Sequence, residues 1–187
     1  MTDHDDSPKA RTAQDAARRA LALIAITSRA HEDVAEQSLH WVQESGIEDF
    51  FSAQEREFYY LRQKPEDRDI LNFSWRAESL VSIIWALGGL EHFPPLDQQV
   101  DVWAIQAVQD AINSTEAFIA NATLRPQSEI EDMESDLYHQ HWRVRDAQLF
   151  NKPMPSELNP SVVYERRYGL SWLVGWGDDW DDVPTDT

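Results

Sequence analysis

Leu21-Ala22-Leu23-Ile24-Ala25-Ile26 stands in the middle of a long segment that contains neither proline nor glycine. Wound as a helix, these six residues are apolar on every side, which is typical of a helix enclosed by other helices. Ser7-Pro8 supplies a cap followed by a proline suited to a first helical turn. The pattern therefore predicts a central helix that runs from about Pro8 to Ala30.

Capping and stop signals divide the remainder into further helices. Ser52-Ala53-Gln54-Glu55 has the spacing of a capping box, and Gly88-Gly89 is typical of a helix end. The segment from Asp97 to Ile112 is the least regular, because Val100, Val102 and Ile105 could equally begin in an extended form. The other predicted helices span residues 33–45, 53–63, 67–87, a short segment after Ser114, 127–150, and 160–175 after the Asn159-Pro160 cap.

The fold class follows from the absence of any sustained apolar-polar alternation, which would indicate strands. The sequence predicts an all-α protein, a single-domain bundle of about seven or eight helices over residues 8–187. Residues 1–7 are polar and acidic and are predicted to be a disordered tail. Trp176 to Thr187 carries two tryptophans among five aspartates, and we expect this acidic tail to pack back on the domain, since two indoles favour burial.

Charge and composition exclude several classes of function. The 187 residues include 16 Lys+Arg and 34 Asp+Glu, which gives a formal net charge of -18. Such a chain repels phosphate backbones and anionic membrane surfaces, so neither nucleic acid nor a membrane is an expected partner. The absence of cysteine removes thiol catalysis and thiolate metal sites. The beginning of the chain does not resemble a secretory signal, and we expect a cytoplasmic protein.

Three catalytic or metal-binding motifs are present only in part. His31-Glu32-Asp33-Val34-Ala35 has alanine where a zinc-protease helix needs its second histidine. Gly169-Leu170-Ser171-Trp172-Leu173 lacks the final glycine of a nucleophile elbow. His139 and His141 point about 200° apart on a helix and cannot share an ion. We therefore predict no metal site and no cofactor.

Helical wheels instead direct several charged side chains inward. Arg166 lies in the centre of the apolar arc of the last helix, and Glu78 lies beside Trp75 and Trp85 on the fourth. An unpaired charge in such surroundings costs several kcal/mol, so these groups should meet one another or face a polar cavity. We expect a polar cluster lined by indoles, which is either a ligand site or a structural ion-pair network. Its predicted members are Glu78, Glu134, His141, Arg145, Glu165 and Arg166, with Trp75, Trp85, Trp142 and Trp172 as the aromatic lining.

Five blocks of the sequence, in this order, resemble the bacterial domain-of-unknown-function family 4272. The resemblance covers nearly the whole chain from Arg18 onward and implies no known activity. It implies that Glu78, His141, Trp142, Arg145, Glu165 and Arg166 occupy signature positions. The chain departs from the family pattern at Val100, Arg167 and Ser171, where the family usually has cysteine, histidine and asparagine. The blocks are Arg18 to Ile24, Trp75 to Gly88, Tyr138 to Asp146, Val162 to Arg166, and Trp180 to Thr187.

Two hypotheses for the function follow. The first is a non-catalytic, acidic interaction protein of the immunity or inhibitor type, because a net charge of -18 steers basic protein partners towards it. The second is a small-ligand-binding protein or an enzyme, in which Arg145 and Arg166 hold a carboxylate or phosphate and His141 or Glu78 moves a proton. No complete catalytic motif supports the second, so the sequence favours the first. The oligomeric state stays open.

Overall fold

The computed structural model describes residues 9–31, 35–61 and 65–186. Helices and no strands occur in these ranges, which confirms the all-α fold class. The predicted disordered tail, residues 1–7, lies outside the described residues. The helices are α1 Ala13–Ala30, α2 Ala35–Ser45, α3 Ala53–Tyr59, α4 Asp67–Ser74, α5 Arg76–Ala86, α6 Gln106–Asn113, α7 Thr115–Ala120, α8 Gln127–Leu149 and α9 Pro160–Leu173, with short 3-10 turns at Ile47–Phe50, Val102–Ala104 and Trp180–Asp182.

α1 occupies the centre of the molecule, as its sequence predicts. Every residue from Leu21 to Ile26 is fully buried. The predicted start of the helix is wrong, however, because α1 begins at Ala13 and residues 9–12 are not helical. Thr12 caps the first turn and forms a reciprocal capping box with Asp15, so the helix begins five residues after Pro8, the predicted first helical residue. Ser7, the predicted cap, and Pro8 lie outside the described residues.

The predicted fourth helix, 67–87, is two helices that join at Trp75. α4 contains no buried residue, whereas α5 is buried from Ala77 to Ala86. A straight helix would carry the polar first half along with the apolar second half into the interior. The turn at Trp75 lets α4 remain at the surface while α5 enters the core.

α5 and α9 pack against each other with their backbones close together. A methyl group added at Gly169 on α9 would lie 2.8 Å from the backbone oxygen of Ser79 on α5. Ser79 and Ser82 each donate a hydrogen bond to a backbone carbonyl of α9, at Glu165 (2.9 Å) and Arg166 (2.8 Å). Small residues therefore allow the two backbones to approach closely. α9 packs on its other side against α8, and α5 packs against α1.

The acidic tail docks on the domain, which confirms that part of the predicted fold. Trp180 is 3% exposed, and its backbone carbonyl accepts a hydrogen bond from the Tyr168 hydroxyl. The indole packs against the guanidinium of Arg19, 4.7 Å from the ring centroid. Arg19 also forms a 2.6 Å ion pair with Glu55, and both side chains are almost completely buried. The tail therefore covers an ion pair that joins α1 to α3.

Among the described residues, no helix is both long enough and apolar enough to cross a membrane.

Candidate functional site

Glu78 and Arg166 form an ion pair that is sealed from solvent. Arg166 Nε donates to Glu78 Oε2 over 2.9 Å, and both side chains are fully buried. The other two guanidinium nitrogens, Nη1 and Nη2, donate to the backbone carbonyls of Pro94, Pro95 and Gln98. Glu78 Oε1 accepts from the backbone N–H of Val100 over 2.9 Å. The pair therefore ties α5 and α9 to the loop after α5 and leaves no room for a ligand.

Glu165 belongs to a second network on the side of α9 next to α5. Its Oε2 accepts a hydrogen bond from Arg76 over 3.2 Å and lies 2.7 Å from Ser79 Oγ, whose single proton is shared between this carboxylate and the Glu165 backbone carbonyl. Burial raises the pKa of the Glu165 carboxyl above its ordinary value, although Arg76 and Ser79 oppose that change. The Arg76 guanidinium also lies 4.5 Å from the centroid of the Tyr168 ring. This network therefore fixes Arg76 in place at the first turn of α5.

His141 on α8 is held by Arg167 of α9. The two side chains meet at Nδ1 of the imidazole over 2.7 Å. A guanidinium can only donate, so Nδ1 must accept, and the single proton of the neutral ring is carried by Nε2. Burial and the nearby charges of Arg167 and Arg145 lower the pKa of His141 from 6.5 to about 4. At neutral pH the ring is therefore an uncharged hydrogen-bond donor at Nε2.

A cleft of about 1070 Å³ opens beside these networks. Its walls come from α4, the start of α5, α8, α9 and the tail. Arg145 stands at this cleft, is exposed, and makes its one side-chain hydrogen bond to Gln148 on the same helix. Besides Arg145, the polar groups that line the cleft include Arg76, His141, Tyr164, Glu165 and Asp186.

The predicted single cluster is therefore divided into separate networks, and that prediction needs correction. Glu165, Arg166 and Arg167 follow one another on α9 at about 100° per residue, so they point towards α5, the loop after α5, and α8 respectively. Glu134 accepts a hydrogen bond from Ser171 Oγ over 2.8 Å and forms no ion pair with any residue that the structure describes. Glu78 and Arg166 are sealed, whereas His141, Arg145 and Glu165 lie at the cleft.

The aromatic lining is also smaller than predicted. Of the four tryptophans, Trp75 lines the cleft. Trp85 is buried and packs edge-on against Phe93, and Trp172 packs against Trp180 beneath the tail. Trp142 is 55% exposed, because the apolar arc of α8 that holds Tyr138, Trp142 and Leu149 faces solvent.

Sequence reasoning did not select two residues of the site, Arg76 and Arg167. Arg76 follows directly after Trp75, where no proline or glycine marks a break, so its position at the start of a new helix could not be predicted. Arg167 stood out only as a departure from a family pattern. A usable signal was present: Glu165-Arg166-Arg167 within an otherwise apolar helix implies that the helix is enclosed on all sides, and all three residues are buried.

A family model described as a domain of unknown function, DUF4272, matches residues 1–183. The chain belongs to the DUF4272 family. No curated protein and no solved structure matches it. Of the six signature positions that the resemblance implied, Glu78 and Arg166 form the sealed pair, His141, Arg145 and Glu165 lie at the cleft, and Trp142 belongs to neither.

The depressed pKa of His141 predicts a specific dependence of stability on pH in this DUF4272 protein. Below pH 6.5 the unfolded chain protonates this histidine, whereas the folded chain does so only near pH 4. Unfolding therefore takes up a proton in this window, and the free energy of unfolding falls as the pH falls. Between pH 7 and pH 4 we expect the wild type to lose about 1–3 kcal/mol more than His141→Gln.

Urea unfolding at a series of pH values measures this difference. His139→Gln is the matched control, because His139 lies on the same helix and is exposed. The free energy of unfolding of His139→Gln should change with pH in the same way as that of the wild type. Parallel curves for the wild type and His141→Gln would show that the folded ring titrates normally.

Proposed function

We propose that the cleft binds a small anionic molecule through its carboxylate or phosphate group. The observation that carries this proposal is the state of His141, an uncharged donor held by Arg167 on one side and influenced by the charge of Arg145 on the other. Hydrogen bonds to a charged group are about twice as strong as neutral ones, and a fixed donor next to a guanidinium suits an anion. The ligand's charged end would accept from His141 Nε2 and from Arg145.

The composition of the cleft supports the same class of ligand. Small-molecule sites are typically about 300–1000 Å³ and combine apolar walls with a few convergent polar groups. Trp75, Phe73 and Val144 contribute apolar wall, and the polar groups come from five helices and the tail. The carboxylate of Glu165 is already paired with Arg76 and does not oppose an anion as an unpaired carboxylate would. Asp69 and Asp186 also line the cleft, and their negative charges disfavour an anion beside them, so the anion is expected on the side of His141 and Arg145.

The net charge of -18 does not exclude this ligand. At physiological salt, charges separated by more than about 8 Å are largely screened at the surface. The donors and charges inside the cleft therefore decide which small molecule binds there. The same screening weakens the case for a basic protein partner, which rests on the net charge alone and stays a prediction, as does the cytoplasmic location.

This proposal changes the residues assigned to the ligand. The sequence predicts that Arg145 and Arg166 together hold the carboxylate or phosphate of the ligand. Each side-chain nitrogen of Arg166, however, is already bonded inside the sealed network. Arg145 and His141 are the groups that remain available at the cleft. His141 acts as a donor in this proposal and not as a base, because its Nδ1 is already bonded to Arg167.

Isothermal titration calorimetry with inorganic phosphate and with citrate tests the proposal. We expect at least one probe to bind the wild type, and Arg145→Gln to bind it about tenfold more weakly, which corresponds to about 1.4 kcal/mol. His141→Phe keeps an aromatic ring but removes the donor, and should weaken binding similarly. Arg143→Gln is the matched control, since Arg143 is exposed on the same helix and pairs with Glu157 away from the cleft.

Two results would contradict the proposal. One is that neither probe binds the wild type. The other is that Arg145→Gln and Arg143→Gln bind equally, because binding would then not involve the cleft.

A further inference from the structure

The sides of the cleft differ in polarity. α4 and the residue that follows it contribute three apolar side chains, Leu71, Phe73 and Trp75, whereas α8 contributes the donors His141 and Arg145. We call the first three residues the α4 wall. α4 has no buried residue, and Leu71 is 59% exposed although it lines the cleft. Ligand sites combine apolar walls with a few polar groups that fix the ligand, so the α4 wall is where the apolar part of a ligand would bind.

Trp75 brings to this wall an aromatic ring that no other ring covers. It is half-buried at the cleft, and neither an aromatic ring nor a guanidinium of any described residue packs against it. Trp85, Trp172 and Trp180 differ, since each packs against another ring or a guanidinium. The indole N–H of Trp75 likewise makes no hydrogen bond within the described ranges. A flat ring can therefore stack on Trp75 without displacing another ring or a guanidinium.

The backbone holds Trp75 in place from both of its helices. Its N–H donates to the carbonyl of Leu71 over 3.3 Å, and its carbonyl accepts from the N–H of Glu78 over 2.9 Å. Phe73, two residues earlier, stacks on Phe58 with 4.0 Å between the ring centroids and 18° between the planes. The α4 wall is therefore ordered before a ligand arrives, which lowers the entropic cost of binding.

We propose that the molecule bound in the cleft is an aromatic anion, whose flat ring stacks on Trp75 while its carboxylate or phosphate group accepts from His141 Nε2 and Arg145. The inference rests on the proposed function, which accounts for the anionic end alone. The cleft of about 1070 Å³ lies at the upper end of the roughly 300–1000 Å³ typical of small-molecule sites and is far larger than one phosphate group needs. A ring on the α4 wall uses the part of the cleft that the anionic group leaves open.

The polar side chains beside the α4 wall favour a ring over an acyl chain. The amides of Gln54 and Asn72 also line the cleft. Hydrocarbon packed over an amide leaves its donors and acceptors without partners, which costs free energy. A ring can carry polar atoms at its edge that pair with these amides, while its faces remain apolar. Stacked rings also attract each other more strongly than their buried area alone accounts for.

Isothermal titration calorimetry with methyl, cyclohexyl and phenyl phosphate tests the inference, because the three monoesters share one head group and differ in the attached body. We expect phenyl phosphate to bind the wild type about tenfold more tightly than methyl phosphate and about threefold more tightly than cyclohexyl phosphate. Trp75→Leu should abolish the preference for phenyl over cyclohexyl phosphate. Trp142→Leu is the matched control and should keep that preference, because Trp142 is 55% exposed on α8 and does not line the cleft.

Two further variants separate the ring from the anionic group. Leu71→Ser changes an exposed residue of the α4 wall, so it should fold, and it should reduce the difference in affinity between phenyl and methyl phosphate. Arg145→Gln should weaken the binding of all three esters by a similar factor and keep the order of their affinities. Circular dichroism confirms that each variant is folded before its affinities are compared.

The possible failures are distinguishable. Equal affinities of the wild type for phenyl and cyclohexyl phosphate overturn the inference and leave the proposed function standing, since the head group still binds. A preference for phenyl phosphate that persists in Trp75→Leu also overturns the inference, because the ring would then bind elsewhere. If none of the three esters binds the wild type, the proposed function fails and the inference fails with it.

Discussion

Arg166→Met is expected to lower the free energy of unfolding by about 3–5 kcal/mol. The substitution removes one partner of a fully buried ion pair and leaves the Glu78 carboxylate without its counter-charge. It also leaves the carbonyls of Pro94 and Pro95 without their donor. The Glu78 carboxylate is fully buried and cannot recover its lost hydrogen bond from solvent, whereas the two proline carbonyls are only partly buried, so most of the expected loss comes from Glu78.

Urea unfolding of the wild type and four variants separates the effect of the ion pair from the simple loss of a side chain. Arg143→Met removes an exposed arginine and should cost no more than about 0.5 kcal/mol. Adding Glu78→Gln to Arg166→Met removes the unpaired charge, so the double variant should be more stable than Arg166→Met alone. If Glu78→Gln and Arg166→Met destabilise additively, the two side chains do not depend on each other, contrary to the structure.

Trp180→Ala is expected to cost about 3–5 kcal/mol, a typical loss for a buried tryptophan. The indole is 3% exposed and packs edge-on against Tyr168 and Trp172. Its faces meet the guanidinium groups of Arg19 and Arg76, 4.7 and 5.7 Å from the ring centroid. Truncation would therefore open a cavity beside two buried or half-buried arginines as well as remove apolar contact.

The matched control is Trp176→Ala, four residues earlier in the same tail. Trp176 is 46% exposed, so its removal should change the free energy of unfolding by less than about 1 kcal/mol. Thermal and urea unfolding should rank the chains in the order wild type, Trp176→Ala, Trp180→Ala. Equal losses of unfolding free energy for the two variants would mean that docking of the tail contributes little to the stability of the domain.

The sequence predicted the elements whose signals are local. The Ser52 capping box and the Asn159 cap are present as expected, because each depends on residues within three positions. The enclosure of Leu21 to Ile26 followed from composition alone. The break at Trp75 could not be predicted, since no proline or glycine marks it. It arises from packing, which places α4 at the surface and α5 in the core.

The sequence predicted which charged side chains of the site point inward, but not which groups they contact. Wheels correctly pointed Glu78 and Arg166 inward, and the two side chains meet. The carbonyls that complete their network come from a loop, and no periodic pattern encodes which way a loop carbonyl points. On the helical wheel of α8, Arg145 lies between the arc of Leu137 and Val144, which is buried, and the arc of Tyr138, Trp142 and Leu149, which faces solvent. Arg145 therefore lies at the edge of the buried face of α8, where the cleft begins.

Docking of the tail has a consequence for synthesis on the ribosome. α1 and the segment before it are made before the tail that covers them: Arg11 donates to the carbonyl of Gly177 over 2.6 Å, and the Arg19 guanidinium is covered by Trp180. A nascent chain that has emerged only as far as α9 still exposes Arg19 and its partner Glu55. The packing around this ion pair is therefore complete only after the tail has emerged, and ribosome-bound chains that stop after α9 should be more sensitive to protease than chains that include the tail.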